Sequence, residues 1–260
     1  MRCQILGSGS EGNSALIRAG DLHFLVDAGL PHRELRTRLE DARLPHRALE
    51  AILVTHGHLD HARSAGSTAK RQDAVVWCPE ATMRNRSLAK ATRMAALPIG
   101  STGRLKGERG DIVEFEPVLL PHDCDPTLAF RLRHEGRTMV VLTDMGEPRD
   151  DVARALTGAN LLVLEFNYDP RMLEEGPYPA KLKRRITGGR GHLSNEQAAI
   201  MLTRMAGPEL HTLVLAHLSK TNNTPELALS SARTALDRLE MQHVEIVVAS
   251  QDEIGAHLIV

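Results

Sequence analysis

The chain has 260 residues, with 32 Lys and Arg against 33 Asp and Glu and a formal net charge of −1, so there is no global pull toward nucleic acid or membrane and any such attraction has to be local. Hydrophobic residues make up 42% and aromatics only 3%, an ordinary globular balance in which Leu, Val, Ile, Ala and Met have to build the core. The three cysteines, Cys3, Cys78 and Cys124, share no CxxC spacing and argue against a disulfide framework. No basic-then-apolar leader or membrane-length apolar run is read, so the expected location is the cytoplasm.

In chain order, Arg2–Leu6 reads as a short strand that runs into the Gly/Ser/Asn loop GSGSEGNS. Ala15–Arg18 and His23–Val26 read as strands joined by a turn at Gly20, and Leu35–Leu44 as a helix. Ala51–Thr55 is an apolar strand delivering His56, followed by a helix over His61–Arg71, a strand at Val75–Cys78 and a helix over Glu80–Ala95. Ile112–Leu120 is extended. Leu128–Arg133 and Thr138–Leu142 pair around Glu135-Gly136. Leu161–Glu165, Leu213–Ala216 and Val244–Val248 are apolar strands, and Glu196–Met205 and Pro225–Leu239 are helices. Sheets covered by helices, in one domain over 1–260, follow from this order. The Gly-, Pro- and base-rich segment 169–191 reads as a lid or flap.

Thirteen histidines stand out against this background, and four potential ligands fall within six residues: His56, His58, Asp60 and His61 in THGHLDH. Imidazole and carboxylate are the donor set for zinc and similar divalent ions. An extended turn aims His56 and His58 together, and Asp60 and His61 aim at a second point as the chain enters a helix. A polar loop with chance histidines is the plainer alternative, and the compactness of the pattern after a buried strand argues against it. Three more candidates each end an apolar strand: His122 after VLLP, Asp144 after VVLT and His217 after LVLA. Asp144 is a natural bridging carboxylate. Asp27 in FLVDAG could orient ligand histidines from behind, or simply bond its own turn.

VDAG, THGHLDH, PHD, TD and AHLS, in this order, resemble the metallo-β-lactamase superfamily. The resemblance implies an αββα four-layer sandwich of mixed α/β (α+β) class with two divalent metal ions at one edge. It implies that His56, His58 and His122 hold one ion, that Asp60, His61 and His217 hold the other, and that Asp144 bridges them with Asp27 in support. Two such cations lower the pKa of a bridging water and make hydroxide available near neutral pH. Asp60 could also orient that hydroxide. Zinc suits the ligands, and manganese or iron fits them as well.

The substrate has to be sought elsewhere. GHLSNEQAA resembles the GHST element of the ribonuclease Z branch, implying that His192 donates a proton or binds phosphate and that Glu165 orients it, with Ser194 or Asn195 capping the helix that follows. GSGSEGNS, EFNYDPRML, GPYP, GHLSN and AHLSKTNN together resemble the YycJ (WalJ) family, whose members are regarded as 5′→3′ DNA exonucleases with a suggested role in DNA repair. The chain length predicts none of the inserted clamp domain of ribonuclease J. No acid occurs from Gly176 to Asn195, where Lys181, Lys183, Arg184, Arg185 and Arg190 lie, or from Ala81 to Gly107, where Arg84, Arg86, Lys90, Arg93, Arg104 and Lys106 lie. Such blocks suit a phosphate backbone or, more plainly, a solvated face. Ser8, Ser10 and Asn13 of the Gly-rich loop and Ser219 and Asn222 of HLSKTNN complete the expected substrate contacts, with Tyr168 and Tyr178 as base-stacking candidates. The expected partner is nucleic acid, DNA ahead of RNA, with no membrane. The competing reading is a thioesterase or lactonase on the same fold.

Overall fold

The computed structural model describes all 260 residues, Met1–Val260. Fourteen strands form two sheets of seven, and each sheet follows one plan: an antiparallel meander that continues as parallel strands. In the first, β1 (Arg2–Gly7), β2 (Ser14–Ala19) and β3 (Leu22–Val26) are antiparallel neighbours. The parallel strands β4 (Ala51–Leu53), β5 (Val75–Cys78) and β6 (Met94–Ala96) follow. In the second, β7 (Gly103–Lys106), β8 (Ile112–Leu120), β9 (Thr127–His134) and β10 (Arg137–Leu142) are antiparallel. The parallel strands β11 (Leu161–Glu165), β12 (Thr212–Ala216) and β13 (Glu245–Val248) complete that sheet. The last strand, β14 (Leu258–Ile259), returns to the free edge of β1. The hairpin between β9 and β10 turns through Glu135 (φ 48°) and Gly136 (φ 75°), two consecutive left-handed residues that match strand twist.

Side-chain alternation divides the apolar residues into three layers. Phe24, Leu53, Phe115, Phe130, Met139, Val141, Val163 and Val214 fill the space between the sheets. Their neighbours Val140, Leu142, Leu162, Leu164, Leu213 and Leu215 point outward, under the helices α4 (Asp150–Ala155), α7 (Asn195–Met205) and α8 (Pro225–Arg238). Leu16, Leu25, Ile52 and Val76 meet α1 (His32–Asp41) and α3 (Ala65–Gln72) on the far side of the first sheet. Both faces of the inner strands are therefore covered, which is why they read as unbroken apolar runs. The layers stack αββα as expected. No helix is long and apolar enough to cross a membrane.

Several elements differ from the sequence reading. The expected helix over Glu80–Ala95 is two 3₁₀ turns, Glu80–Arg84 and Arg86–Leu88, and then β6. Asn85 breaks it: its side chain accepts from Ser87 N and donates to Gly57 O at 2.7 Å, an arrangement a continuous helix would forbid. The helix expected over His61–Arg71 is split into α2 (Leu59–Ala62) and α3, because Ser64 at the junction bonds Leu30 O through its hydroxyl and Ala28 O through its N–H. Helix α1 starts at His32, just after Pro31, ahead of the expected Leu35. Segment 169–191 is more regular than its composition suggests, carrying α5 (Pro170–Glu175) and α6 (Ala180–Thr187). The short strands β6, β7 and β14 and the six-residue α4 carry too little periodicity to be read from sequence.

Gly29 of the VDAG segment shows how tightly the two loops at the sheet edge meet. A Cβ on Gly29 would lie 1.7 Å from Asp60 O and 2.7 Å from His61 N, both backbone atoms. Gly29→Ala is expected to displace the Asp60–His61 turn and lower stability by about 1–3 kcal/mol. Urea unfolding checks this, and an unchanged midpoint would refute it.

Candidate metal centre

The candidate ligands all follow the C-terminal ends of strands: Asp27 after β3, His56 after β4, His122 after β8, Asp144 after β10 and His217 after β12. Three of them, Asp27 (φ 61°), Asp144 (φ 64°) and His217 (φ 56°), have left-handed backbones. Asp and His tolerate this conformation better than most residues, and its recurrence at three strand ends turns their side chains back toward one point.

The ligand atoms converge in two triads, which the group of His56, His61 and Asp144 and the group of Asp144, Glu165, His192 and His217 join into one cluster. Those of His56, His58 and His122 lie within 4.8 Å of one another, as do those of Asp60, His61 and His217. Asp144 lies between them, with Oδ1 3.7 Å from His122 Nε2 and 3.6 Å from His217 Nε2, and Oδ2 3.0 Å from His61 Nε2. Asp60 Oδ2 is 3.4 Å from His217 Nε2 and 3.6 Å from His61 Nε2.

Almost every imidazole has one nitrogen held from outside the cluster, which leaves the other facing inward. Thr55 Oγ1 meets His56 Nδ1 at 3.0 Å, and Asp27 Oδ2 meets His61 Nδ1 at 2.7 Å. His122 Nδ1 faces Gly191 O at 2.9 Å, and Asn167 Nδ2 lies 2.9 Å from His217 Nδ1 and 2.8 Å from His217 O. Thr55 in turn gives both its N–H and its hydroxyl to Asp27.

The electrostatics call for a cation. Burial alone would keep the His61 imidazole neutral, but Asp144, Asp27 and Asp60 around it lift its pKa well above the usual value. His56 goes the other way: burial, reinforced by His61, holds its pKa well below the usual value, so it keeps a free lone pair. Its buried Nε2 has no hydrogen-bond partner, which is the state of a donor atom aimed at an ion. The residues present therefore fit divalent metal binding.

Beside the cluster, His192 Nδ1 lies 2.7 Å from Oε1 of the fully buried Glu165, and the His192 ring stacks on His217 with centroids 5.2 Å apart. Glu165 Oε2 also accepts from the N–H groups of Met145 and Leu193. Ser194 caps α7 in a reciprocal capping box with Gln197. These groups open on a cleft of about 460 Å³ whose lining includes Leu59, Asp60, Tyr178, Leu182, Arg185 and Ile186.

Residues 23–218 match the family described as "Beta-lactamase superfamily domain". The chain is 34% identical over 238 residues to exodeoxyribonuclease YycJ of Bacillus anthracis, covering 90% of this chain and 88% of that one. The chain belongs to the metallo-β-lactamase superfamily, in the YycJ/WalJ family. Exodeoxyribonuclease WalJ of Streptococcus pneumoniae is likewise 34% identical, over 227 residues, covering 86% of this chain and 84% of that one. The crystal structure of the metallo-β-lactamase fold protein YhfI from Bacillus subtilis shares the fold, with a TM-score of 0.72 at 18% identity and 98% coverage of both chains. The chain is accordingly a hydrolase of this superfamily.

Not every expected substrate contact faces the cleft. Ser10, Arg185 and Ser219 line it, as does Tyr178. Ser8 and Asn13 do not: Ser8 Oγ accepts from His217 N at 2.8 Å, and the Asn13 amide reaches Gly9 O at 3.0 Å and His61 Nε2 at 3.1 Å. The Gly-rich loop braces the centre, because its close turn brings polar groups against the ligand loops before any substrate could reach them. Asn222 is buried and its N–H is taken by Ser219 Oγ. Tyr168 is buried, bridged to Ser194, and cannot stack on a base. Lys181 and Arg184 are exposed outside the cleft lining, since Leu182 and Ile186 one turn apart define the inward face of α6 and Arg184 falls opposite.

Thr55, Asn167 and Asp123 were missed by the sequence reading. Each has a signal, since Thr55 and Asp123 adjoin ligands and Asn167 lies two residues beyond Glu165. Asp27→Ala is expected to lower divalent-metal affinity by about 10–100-fold. Titration of the metal-stripped chain checks it, and wild-type affinity would show that the carboxylate only fixes its turn.

Proposed function

We propose that this hydrolase is a dinuclear-metal phosphodiesterase acting on nucleic acid, specifically a 5′→3′ DNA exonuclease of the kind that serves DNA repair. One observation carries the reading. His192, oriented by Glu165 at 2.7 Å, stands next to the two triads, converges with Asp144, Glu165 and His217, and faces the cleft. The names of the YycJ and WalJ relatives support extending exodeoxyribonuclease activity to this chain.

His56, His58 and His122 would hold one ion and Asp60, His61 and His217 the other, with Asp144 shared between them. Zinc suits this imidazole-rich set, and manganese or iron fits the same donors. Bound there, the ions would supply an activated water and neutralise charge on the phosphate. His192 gives its proton to the departing 3′ oxygen as the P–O3′ bond breaks and the water oxygen bonds phosphorus. Burial lowers the His192 pKa, but the Glu165 carboxylate more than reverses this, so the imidazole stays protonated to a higher pH than usual. Arg185 at the cleft mouth is placed to meet backbone phosphates. Segment 169–191, with α6, forms the lid over that mouth, and Tyr178 with Leu182 and Ile186 offers a sequence-neutral surface to a base.

His192→Ala is expected to cut turnover about 10²–10⁴-fold while metal content holds. Equal loss of both would make His192 structural. Glu165→Gln removes the charge that raises the His192 pKa, so the alkaline limb of the kcat profile should move to lower pH; a fixed limb would separate His192 from the proton step. End-labelled single- and double-stranded DNA and RNA, with and without a 5′ phosphate, decide the substrate under zinc and manganese. Loss of the 5′ label first from DNA is the expected result. No cleavage of any nucleic acid, with turnover of a thioester or lactone, would defeat the proposal.

A further inference from the structure

His58 is the exception among the imidazoles of the centre. His56, His61, His122, His192 and His217 each have an outer nitrogen within 3.0 Å of Thr55, Asp27, Gly191 O, Glu165 and Asn167 respectively. His58 is also the most exposed of the proposed ligand histidines, with 31% of its side chain accessible, so it needs fixing most. Its Nδ1 faces His122 Nε2 at 3.4 Å, inward, and its Nε2 faces Asp123 Oδ1 at 3.4 Å. No other group meets that outer nitrogen, and the same Oδ1 lies 3.4 Å from His122 Nε2, so Asp123 touches two of the three histidines of this site. The second oxygen of Asp123 accepts a short hydrogen bond from Arg185 Nε of α6.

We infer that Asp123 is the positioning residue for His58 and that it links the basic helix α6, through Arg185, to the metal site of His56, His58 and His122. An imidazole held by a carboxylate on one nitrogen is fixed in ring orientation and made a better donor through the other. Asp27 already stands in this relation to His61. What Asp123 adds is its second contact, since a carboxylate held by Arg185 cannot swing away from His58 without breaking a charge-assisted bond. Arg185 lines the cleft, so a phosphate that draws it off would alter the hold on His58. The neighbouring pair Arg190–Asp125 provides an internal contrast: it ties the same two segments at 3.3 Å, but Asp125 is 75% exposed and meets no imidazole.

The inference rests on the reading of the centre as a dinuclear metal site and does not depend on nuclease activity. The metal-stripped full chain is titrated with Zn²⁺ and with Mn²⁺ by calorimetry, without nucleic acid, with circular dichroism confirming that each variant is folded. Two binding events are expected for the wild type. Asp123→Ala should weaken one of them about 10–100-fold and leave the other near its original affinity. Asp123→Asn, which keeps the shape and a weaker acceptor, should lose less. Arg185→Ala should weaken the same event by a smaller factor, with the double variant no worse than Asp123→Ala alone. Asp125→Ala should change neither event. Both events intact in Asp123→Ala would overturn the positioning role, as would an equal loss in Asp125→Ala. Wild-type affinity in Arg185→Ala, or losses that multiply in the double variant, would overturn the link to α6. A wild-type chain that binds no ion would overturn the dinuclear reading itself, and this inference with it.

Discussion

The buried imidazole of His61, facing Asp27, Asp60 and Asp144, is the constraint around which the molecule is arranged. Carboxylates this close repel one another, and removing them from water makes the repulsion stronger. Only positive charge in their midst offsets that cost. Everything nearby is organised to keep the carboxylates where a cation can serve them: the left-handed strand ends that turn Asp27, Asp144 and His217 inward, the Gly29 contact that lets two loops touch, and the Gly-rich loop that braces His217 and Asp60 from above.

Around this demand the chain separates two tasks. The first sheet contributes the compact HxHxDH turn, and the second contributes single residues after β8, β10 and β12. The proposed specificity elements come from the stretch running from the end of β11 to α7, where Glu165, the α6 wall and His192 lie within some thirty residues. A scaffold of this kind can keep its candidate ligands while one segment is exchanged, which is the general reason a fold hosts many reactions.

The legible parts of the sequence were those where one physical rule acts alone. Strands buried on both faces stand out as apolar runs, so the ligands that end them at His56, His122, Asp144 and His217 could be placed without coordinates. Asp27 is legible from its place at the end of an apolar strand and the His192–Glu165 pair by resemblance; in the structure Asp27 contacts His61, and Glu165 contacts His192. What escaped was set by tertiary competition. Helix propensity over Glu80–Ala95 lost to Asn85 and to pairing of β6 with β5. Ser8 and Asn13 carry the right donors for a phosphate, but only the packing of loop on loop reveals that those donors are already taken. Asp123 was hidden because adjacency to a ligand says nothing about which nitrogen it faces.

The repeated plan of the two sheets has a consequence for the molecule as a whole. Each proposed ion would draw ligands from loops of both sheets, so it would act as a rivet across the seam between them. Such a rivet binds only when both sheets are folded and docked, and anything that binds only the native state stabilises it in proportion to the logarithm of its free concentration. The durability of the sandwich thereby becomes a property of its surroundings as well as of its sequence. In a metal-poor compartment the seam would open sooner.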